Sequence, residues 1–364
     1  MAGVYVSYPF CRQKCTYCNF ASRVGRAAEE REYFEALLAE VAAHGWAWTP
    51  ETVYLGGGSP DRLDPADLER LLALVPGRPW REATIEAAPD DVSPDKAEAW
   101  VRCGITRVSL GVQSFVEAEI RRTGRRHTAA GVAEAVRILR QAGIGRINID
   151  LIAGLPGQTR ESWEESLEWI ERLAPGHVSV YMLEIDGESR LGRELLAGGS
   201  RYGAAEVPDE ETVAALYERA VAALAEMGLR RYEISNFARP GEESLHNLKY
   251  WRLEPYVGFG ADAHSYDGRM RRRNAETPRE YVERFRRGLP PAVETLEAAP
   301  DERFFLGLRL AEGIRLDAGE RKQHARAIER FVRAGLLEES GGRLRLTERG
   351  VLLSNEVFEE FVAA

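Results

Sequence analysis

Three cysteines near the start of the chain, Cys11, Cys15 and Cys18, have the spacing C-x₃-C-x₂-C. Three thiolates this close together can hold three corners of a cubane iron–sulfur cluster, whereas protein-held clusters normally take four cysteines. A three-cysteine site leaves one iron open, and an open iron can bind a small molecule and do chemistry on it. The spacing therefore favours an open iron–sulfur cluster.

Other uses of these cysteines are weaker interpretations. A disulfide framework is typical of small, cysteine-dense chains in oxidising compartments. A zinc site would want a fourth Cys or His at short spacing, and no His lies near the motif. A thioredoxin-like redox pair would explain Cys15 and Cys18 but not Cys11. The remaining cysteine, Cys103, ends a helical pattern and is expected to be a small buried hydrophobe.

Composition bounds the class of protein. The 364 residues are enough for one large α/β domain, with or without a small appendage. The net charge of −9 argues against broad, phosphate-driven binding to nucleic acid. We see no signal-peptide pattern and no apolar stretch long enough to span a bilayer, which together predict a cytoplasmic location. The basic run Arg269–Arg273 is expected to be a solvated turn, or else a site for a carboxylate or a partner surface.

Strand and helix patterns alternate over the first two thirds of the chain. The predicted strands are Val4–Ser7, Thr52–Leu55, Ala83–Glu86, Arg107–Leu110, Arg146–Ile152 and Val178–Leu183, with a weaker one at Tyr232–Ile234. The helical patterns are Ala28–His44, Pro65–Leu74, Pro94–Cys103, Ala129–Ala142, Arg160–Leu173 and Asp209–Met227. The strands read as apolar, as expected where both faces are covered. Consecutive strand–helix units predict an α/β fold: a parallel sheet with right-handed crossovers, curved into a partial (β/α)₆ barrel of the TIM type.

Chemistry in such barrels sits at the carboxyl ends of the strands. The predicted strand ends carry polar or glycine-rich residues, namely Gly56–Pro60, Glu86, Gly111–Phe115, Asp150, Tyr181 and Glu184. Taken singly, each could be a helix cap or a turn. Their joint placement on one rim with the cysteine loop is hard to explain by capping alone.

Three regions are predicted along the chain. Residues 1–235 form the partial barrel, 236–290 form a connecting segment, and 291–364 form a small C-terminal domain. Pro291–Pro300 reads as the boundary, and it is followed by helical patterns at Asp301–Leu310 and Ala318–Ala334. A glycine-turn hairpin over residues 335–347 completes a winged-helix-like pattern. Winged helices often bind DNA, but the acidic balance favours a packing or lid role.

The cysteine motif, Tyr17 and the Gly56–Pro60 run together resemble the radical S-adenosylmethionine (SAM) superfamily. Four longer segments carry the resemblance further: Tyr5–Cys11, Leu110–Phe115, Ile149–Thr159 and Tyr232–Gly241. The wider pattern is similar to the oxygen-independent coproporphyrinogen III oxidase-like family and its heme-chaperone branch, HemW. The resemblance runs from Tyr5 to about Phe361.

This resemblance implies a [4Fe–4S] cluster on Cys11, Cys15 and Cys18, with SAM chelating the open iron. An electron from the cluster would then cleave SAM to methionine and a 5′-deoxyadenosyl radical, chemistry that belongs to the cofactors. The implied SAM contacts are Gly56, Gly57 and Gly58 at the methionine end, Glu86 and Asp150 at the ribose, Gln113, and Arg125 at the carboxylate. Tyr5, near the sulfonium end, is the candidate catalytic residue. Arg125 alone could equally be a surface charge, and the neighbouring Arg126 leaves the choice open.

Two features separate the branches of this family. Oxidases carry a further cysteine two residues past the third one, where this chain has Phe20, and they have an extension before the first strand. The run from His246 to Trp251 matches the H-N-x-x-Y-W heme motif of the chaperones. The resemblance implies that His246, Tyr250 and Trp251 contact heme, since imidazole is a common axial ligand. The alternative is a structural loop in which His246 caps a turn and Trp251 fills core.

There are also departures from the family pattern. Ser7 replaces the usual histidine before the cysteine loop, and Ala88 replaces an asparagine after the third strand. We expect a heme chaperone that uses a cluster, SAM and heme and passes heme, or another tetrapyrrole, to an acceptor protein. The alternatives are an oxygen-independent coproporphyrinogen III oxidase or another radical SAM enzyme, for methyl transfer or ring formation. No nucleic-acid partner is expected; a peripheral membrane contact, a homodimer and SAM cleavage are left open.

Overall fold

The six strongest strand predictions are confirmed in the computed structural model, which describes residues 2–362. These strands are β1 (Ala2–Tyr8), β2 (Pro50–Gly57), β3 (Glu82–Ala87), β4 (Arg107–Gln113), β5 (Arg146–Ala153) and β6 (His177–Met182). They pair in sequence order and all run parallel. The carboxyl ends of all six strands therefore meet at one edge of the sheet, as the sequence predicts.

Six further strands extend the sheet on both sides. They are β7 (Arg230–Arg231), β8 (Asn236–Ala238), β9 (Tyr256–Phe259), β10 (His264–Tyr266), β11 (Met270–Asn274) and β12 (Ala292–Glu297). The twelve-stranded order is β12-β11-β10-β9-β1-β2-β3-β4-β5-β6-β8-β7. Of the added strands, β9 runs parallel to β1, whereas β8 and β10–β12 pair antiparallel with their neighbours.

These outer strands bear on three expectations. The weak strand expected at Tyr232–Ile234 is wrong, because those residues form the connection between β7 and β8. Pro291–Pro300, the expected boundary of the C-terminal domain, contains β12, which pairs with β11. The basic run, expected as a solvated turn, lies mostly in β11, where Arg271 pairs with Glu302 and its neighbours also pair with carboxylates.

Helices fill the crossovers much as predicted. Ten of the described helices precede β12 in the chain: α1 (Ala27–Ala43), α2 (Pro65–Ala73), α3 (Pro94–Arg102), α4 (Glu117–Arg122), α5 (Ala129–Gln141), α6 (Arg160–Leu173), α7 (Arg190–Leu196), α8 (Glu210–Glu226), α9 (Leu245–Trp251) and α10 (Pro278–Arg286). Short 3₁₀ segments lie at Pro60–Arg62, Pro89–Asp91 and Arg201–Glu206. Cys103, at the end of α3, is 3% exposed and belongs to the apolar core, as expected.

The C-terminal part is helical with one hairpin. It contains α11 (Glu302–Gly307), α12 (Ala318–Gln323), α13 (Ala325–Arg333), β13 (Leu337–Ser340), β14 (Arg343–Leu346), α14 (Glu348–Leu352) and α15 (Ser354–Val362). The single helix expected at Ala318–Ala334 is divided at His324, whose backbone leaves the helical region. Among the described residues, no helix has the length and apolar character needed to cross a membrane.

The two faces of the parallel strands differ in polarity. Residues such as Val53, Ile85 and Val108 belong to the apolar core beneath the helices. The residues that alternate with these, such as Tyr54 and Glu86, face the inner side of the sheet. Side chains from β2, β3, β4, β5 and β6 line one common cavity there. A sheet whose second and sixth strands reach the same cavity must curve around it. The expectation of strands apolar on both faces is therefore wrong: the inner face is polar.

Candidate functional site

The cysteine loop follows directly from the end of β1 and is tied down by backbone hydrogen bonds. The Cys11 amide donates to the Arg23 carbonyl at 2.9 Å, which closes the loop on itself. The Thr16 amide donates to the Thr123 carbonyl at 3.0 Å, and the Leu191 amide donates to the Thr16 carbonyl at 2.8 Å. The loop is thus held by the segment after α4 and by α7.

All three motif cysteines are free thiols. Cys11 is buried, while Cys15 and Cys18 are partly exposed. Burial, together with the nearby Cys18 and Cys15, raises the pKa of Cys11. Within residues 2–362, no three His, Cys, Asp or Glu side chains converge on a single metal ion. A cubane takes one thiolate per iron, so its ligands stand farther apart than ligands that share one ion, and soft thiols suit it.

Arg125 reaches the cysteine loop from the segment between α4 and α5. Its Nε donates to Cys15 Sγ at 3.2 Å, and a terminal nitrogen donates to the Gly111 carbonyl at 2.7 Å. Burial lowers the pKa of Arg125, but Tyr17 and Cys15 outweigh this and raise it above its usual range. The guanidinium therefore stays charged beside the thiols. Gln113 lies close by, in the left-handed region with φ of 72°, a strained conformation typical of functional sites.

Three consecutive glycines, Gly56, Gly57 and Gly58, lie at the end of β2, and contacts within the chain explain each of them. A Cβ on Gly58 would lie 2.6 Å from the Phe10 carbonyl oxygen, so this glycine lets the cysteine loop pack directly on β2. Gly57 has φ of 102°, which favours glycine. A Cβ on Gly56 would lie 3.1 Å from the Glu86 carboxyl carbon. The run thus brings the cysteine loop and Glu86 together around one strand end.

Two carboxyls, Glu86 and Asp150, lie inside the curve of the sheet. The Tyr54 hydroxyl donates to Glu86 at 2.9 Å, and burial, with Asp150 nearby, raises the pKa of Glu86 to about 7. Burial also raises the pKa of Asp150, although Asn148 and Ser109 donate hydrogen bonds to its carboxylate and oppose the shift. Raised pKa values with specific partners in an enclosed space are typical of functional sites.

A polar network surrounds these carboxyls, and most of its residues belong to no motif in the sequence. Asn148 donates to Asp150 at 2.7 Å and to Ser109 at 2.8 Å, and His177 contacts Asn148 at 2.6 Å. These side chains line a cavity of about 40 Å³, which is room for one or two waters. A signal was present in the strands: polar residues recur at every second position, as in Asn148 and Asp150.

Tyr5 lies in β1 beside Tyr54. The two rings stack with centroids 6.1 Å apart, and the Tyr5 hydroxyl is 3.6 Å from the position of a Cβ on Gly57. Burial, then Glu86 and Asp262, raise the pKa of Tyr5 above its usual range, so the phenol stays protonated. The structure therefore brings Tyr5, Gly57 and Glu86 into one neighbourhood.

The H-N-x-x-Y-W segment occupies the other end of the curved sheet. It forms α9, and His246 contacts Thr52, near the start of β2, whereas the cysteine loop lies at the strand ends. His246 is 0% exposed, with its Nδ1 2.9 Å from the Thr52 hydroxyl and its Nε2 2.8 Å from the Tyr250 hydroxyl. Trp251 is half-buried, and its indole nitrogen has no hydrogen-bond partner among the described residues.

The two departures from the family pattern also have defined surroundings. Ser7 is buried beside Gly57, and its carbonyl accepts from Tyr33 at 2.8 Å. The Ala88 amide donates to the buried carboxyl of Asp61 at 3.0 Å, which fixes the loop after β3. Asp61 was not singled out from the sequence. Phe20, at the cysteine loop, is 69% exposed.

Comparison with known proteins identifies close relatives. Residues 5–170 match the Radical SAM superfamily, and residues 295–353 match the HemN C-terminal domain. The Heme chaperone HemW of Lactococcus lactis is 33% identical, over 99% of this chain and 97% of its own length. That of Bacillus subtilis is also 33% identical, over 100% and 99%. The structure of coproporphyrinogen III oxidase (HemN) from Escherichia coli superposes with a TM-score of 0.84 at 22% identity, covering 99% of this chain and 89% of that one. This structural similarity shows that the two proteins share a fold.

Proposed function

The chain belongs to the HemW family of heme chaperones within the radical SAM superfamily, and on that premise we propose that it binds heme and passes it to an acceptor protein. The observation that carries this proposal is similarity over the whole length of those relatives, not over one motif. Phe20 supports the same choice, since the oxidases carry a cysteine at that position. The reduced cysteines are compatible with the cytoplasmic location predicted from the sequence.

We propose that Cys11, Cys15 and Cys18 hold a [4Fe–4S] cluster and that SAM lies between it and the inner face of the sheet. The fit rests on three free thiols on one loop and a charged Arg125 beside Cys15. A cluster bound there would be able to supply the electron that SAM cleavage requires. We propose that Arg125 balances the negative charge of the thiolates and pairs with the SAM carboxylate.

The protein's own contribution to SAM binding is orientation. Glu86 and Asp150 are proposed to accept hydrogen bonds from the ribose hydroxyls, and Tyr54 and Asn148 hold those carboxyls in place. Gly56, Gly57 and Gly58 keep the strand end free of side chains at the methionine end. Tyr5 and Gln113 complete the contacts. The Glu86 carboxyl, with its pKa of about 7, binds ribose best when it is ionised.

The heme contacts are proposed on the α9 segment, with Tyr250 and Trp251 as candidates. Trp251 is the better supported of these two candidates. Its indole nitrogen has no hydrogen-bond partner among the described residues, and the Arg309 guanidinium lies 4.5 Å from the centre of its ring. An aromatic face next to a cation suits the edge of a porphyrin and its propionates. His246 does not offer a nitrogen in the observed conformation.

An oxidase is the second candidate, because the fold matches that of coproporphyrinogen III oxidase over nearly its whole length. Anaerobic incubation with coproporphyrinogen III, SAM and a reductant separates the two functions. We expect about four irons per chain, a cluster absorbance that is lost in Cys15→Ala, and no divinyl product. Formation of the divinyl product would replace the chaperone proposal with the oxidase.

A further inference from the structure

His246 is the motif residue expected to ligate heme, yet its position points to another task. We propose that His246 is a positioning residue that holds Tyr54 against Glu86, and that it does not ligate heme iron. The inference rests on the proposed SAM site, since Glu86 is there the ribose ligand. It departs from the expected use of the motif because the imidazole is closed off on every side.

Both nitrogens of the His246 ring are already engaged. Nδ1 lies 2.9 Å from the Thr52 hydroxyl and Nε2 lies 2.8 Å from the Tyr250 hydroxyl. A neutral imidazole has one donor and one acceptor nitrogen, so these two contacts use its whole capacity. Burial, and then Lys249, lower the pKa of His246 to about 3, which keeps the ring neutral at physiological pH. No lone pair is left for a metal.

Other side chains and the backbone also pack closely against the faces and edges of the His246 ring. Tyr54 stacks on it with centroids 5.3 Å apart, and Tyr250 meets it edge-on at 5.1 Å. On the β1 side, a Cβ on Gly3 would lie only 3.1 Å from the imidazole. Heme cannot reach the ring without displacing its neighbours.

The contacts continue from His246 to the proposed SAM site. Tyr54, stacked on the imidazole, donates its hydroxyl hydrogen to Glu86 at 2.9 Å. The His246 amide also donates to Glu82 at 3.0 Å, on the same strand as Glu86. The ring therefore supports Tyr54 directly, and its backbone ties α9 to β3. Removing the imidazole would take away one of the two rings that stack on Tyr54, the other being Tyr5, and so loosen the hydrogen bond that Tyr54 donates to Glu86.

The experiment compares three variants with the wild type: His246→Gln, Thr52→Val, and His264→Gln as the matched control. Thr52→Val removes one partner of the imidazole but no conceivable iron ligand, and His264 is an exposed histidine in β10. SAM dissociation constants are measured on anaerobically reconstituted protein by equilibrium dialysis. The axial ligand of added ferric heme is read by low-temperature electron paramagnetic resonance.

We expect SAM affinity to fall roughly tenfold in His246→Gln, the effect of about one buried hydrogen bond and its packing, and by a few-fold in Thr52→Val. The control should bind SAM as the wild type does, and the heme ligand signal should be the same in all four proteins. Loss of an imidazole signal in His246→Gln with unchanged SAM affinity would overturn the inference. If His246→Gln does not fold, Thr52→Val decides by the same SAM measurement.

The outcomes also separate this inference from the proposed function. If the wild type binds SAM but no heme, the chaperone function is contradicted. The SAM affinities of the variants then still test the positioning role of His246. If the wild type binds no SAM, the crystal structure of cluster-free His246→Gln decides instead. A broken Tyr54–Glu86 hydrogen bond in that structure supports the positioning role, and an unchanged bond refutes it.

Discussion

At the scale of single residues, the inner face of the sheet concentrates polar groups in a space of low dielectric constant. Glu86 and Asp150 are both buried by the surrounding strands, and burial raises the pKa of each; the nearby Asp150 raises the pKa of Glu86 further. Hydrogen bonds donated by Tyr54 to Glu86 and by Asn148 to Asp150 favour the ionised carboxylates and oppose these shifts. Hydrogen bonds from ribose hydroxyls would favour the ionised forms further, so the protonation of these carboxyls is linked to ligand binding.

The first prediction concerns Glu86→Gln in cluster-free protein. The pKa of Glu86 is raised from 4.5 to about 7 in the folded state, so folding binds a proton between those values. Its contribution to stability therefore falls as pH rises through that window and is lowest above pH 7. A glutamine mimics the neutral acid. The variant should gain on the order of 2 kcal/mol relative to wild type between pH 5 and pH 8.

Urea unfolding at the two pH values measures this difference. Glu98→Gln, on an exposed part of α3, is the matched control and should track the wild type at both. An equal stability difference between Glu86→Gln and wild type at pH 5 and pH 8 would show that Glu86 is ionised throughout.

The grouping of the motif residues at one edge of the sheet was predictable from the sequence, because parallel strands paired in sequence order bring their carboxyl ends together. Cys15 and Arg125 do lie in contact, although 110 positions separate them. His246 could not be placed, because a motif names residue types and not the depth at which they are buried. The buried Asp61 also carries no motif, and its partner, the Ala88 amide, is a backbone group.

At the scale of elements, the central strands and their helices were predictable because their periodicities are strong and their ends are marked. Ser93, Thr159 and Asp209 each cap a helix by accepting from a backbone amide, and all three helices begin as expected. The strands β7–β12 were missed. They are short or lie towards an edge, and β11 is largely arginine, so neither length nor apolar alternation marks them.

The second prediction concerns how closely two elements must approach. In Gly58→Ala, the new Cβ would lie 2.6 Å from the Phe10 carbonyl oxygen and 2.8 Å from its nitrogen, both backbone atoms that cannot rotate away. The cysteine loop must therefore shift off β2. We expect a loss of about 1–3 kcal/mol in stability and a sharp fall in iron bound per chain after anaerobic reconstitution.

Gly45→Ala provides the control for that substitution, since a Cβ on Gly45 would meet nothing within 4 Å. Its iron content and stability should equal those of the wild type. Full reconstitution of Gly58→Ala would mean that the cysteine loop does not need its contact with β2.

At the scale of the whole molecule, the two proposed ligands occupy opposite ends of one curved sheet. The cysteine loop follows the end of β1, whereas α9 packs near the starts of β1 and β2. The C-terminal part meets the α9 side: Arg309 lies over Trp251, and the Ala311 amide donates to the Tyr232 carbonyl at 2.9 Å. A heme bound at Trp251 would therefore touch both the sheet and the C-terminal part.

This arrangement was only partly predictable. Six parallel strands and a C-terminal hairpin follow from patterns in the sequence, and both are confirmed. The strand β12 within the proline-rich stretch was not predictable, because its backbone pairing with β11 overrides local composition. Contacts between distant segments, such as Arg309 with Trp251, depend on the assembled fold and leave no local signal.

The central claim is that this protein carries heme, and a heme titration of the anaerobically purified chain tests it most directly. Heme is added stepwise to wild-type protein and to Trp251→Ala, and the Soret band is followed. We expect a shift of the Soret band that saturates near one heme per chain in the wild type and is weaker in Trp251→Ala. A linear rise without saturation in the wild type would contradict it.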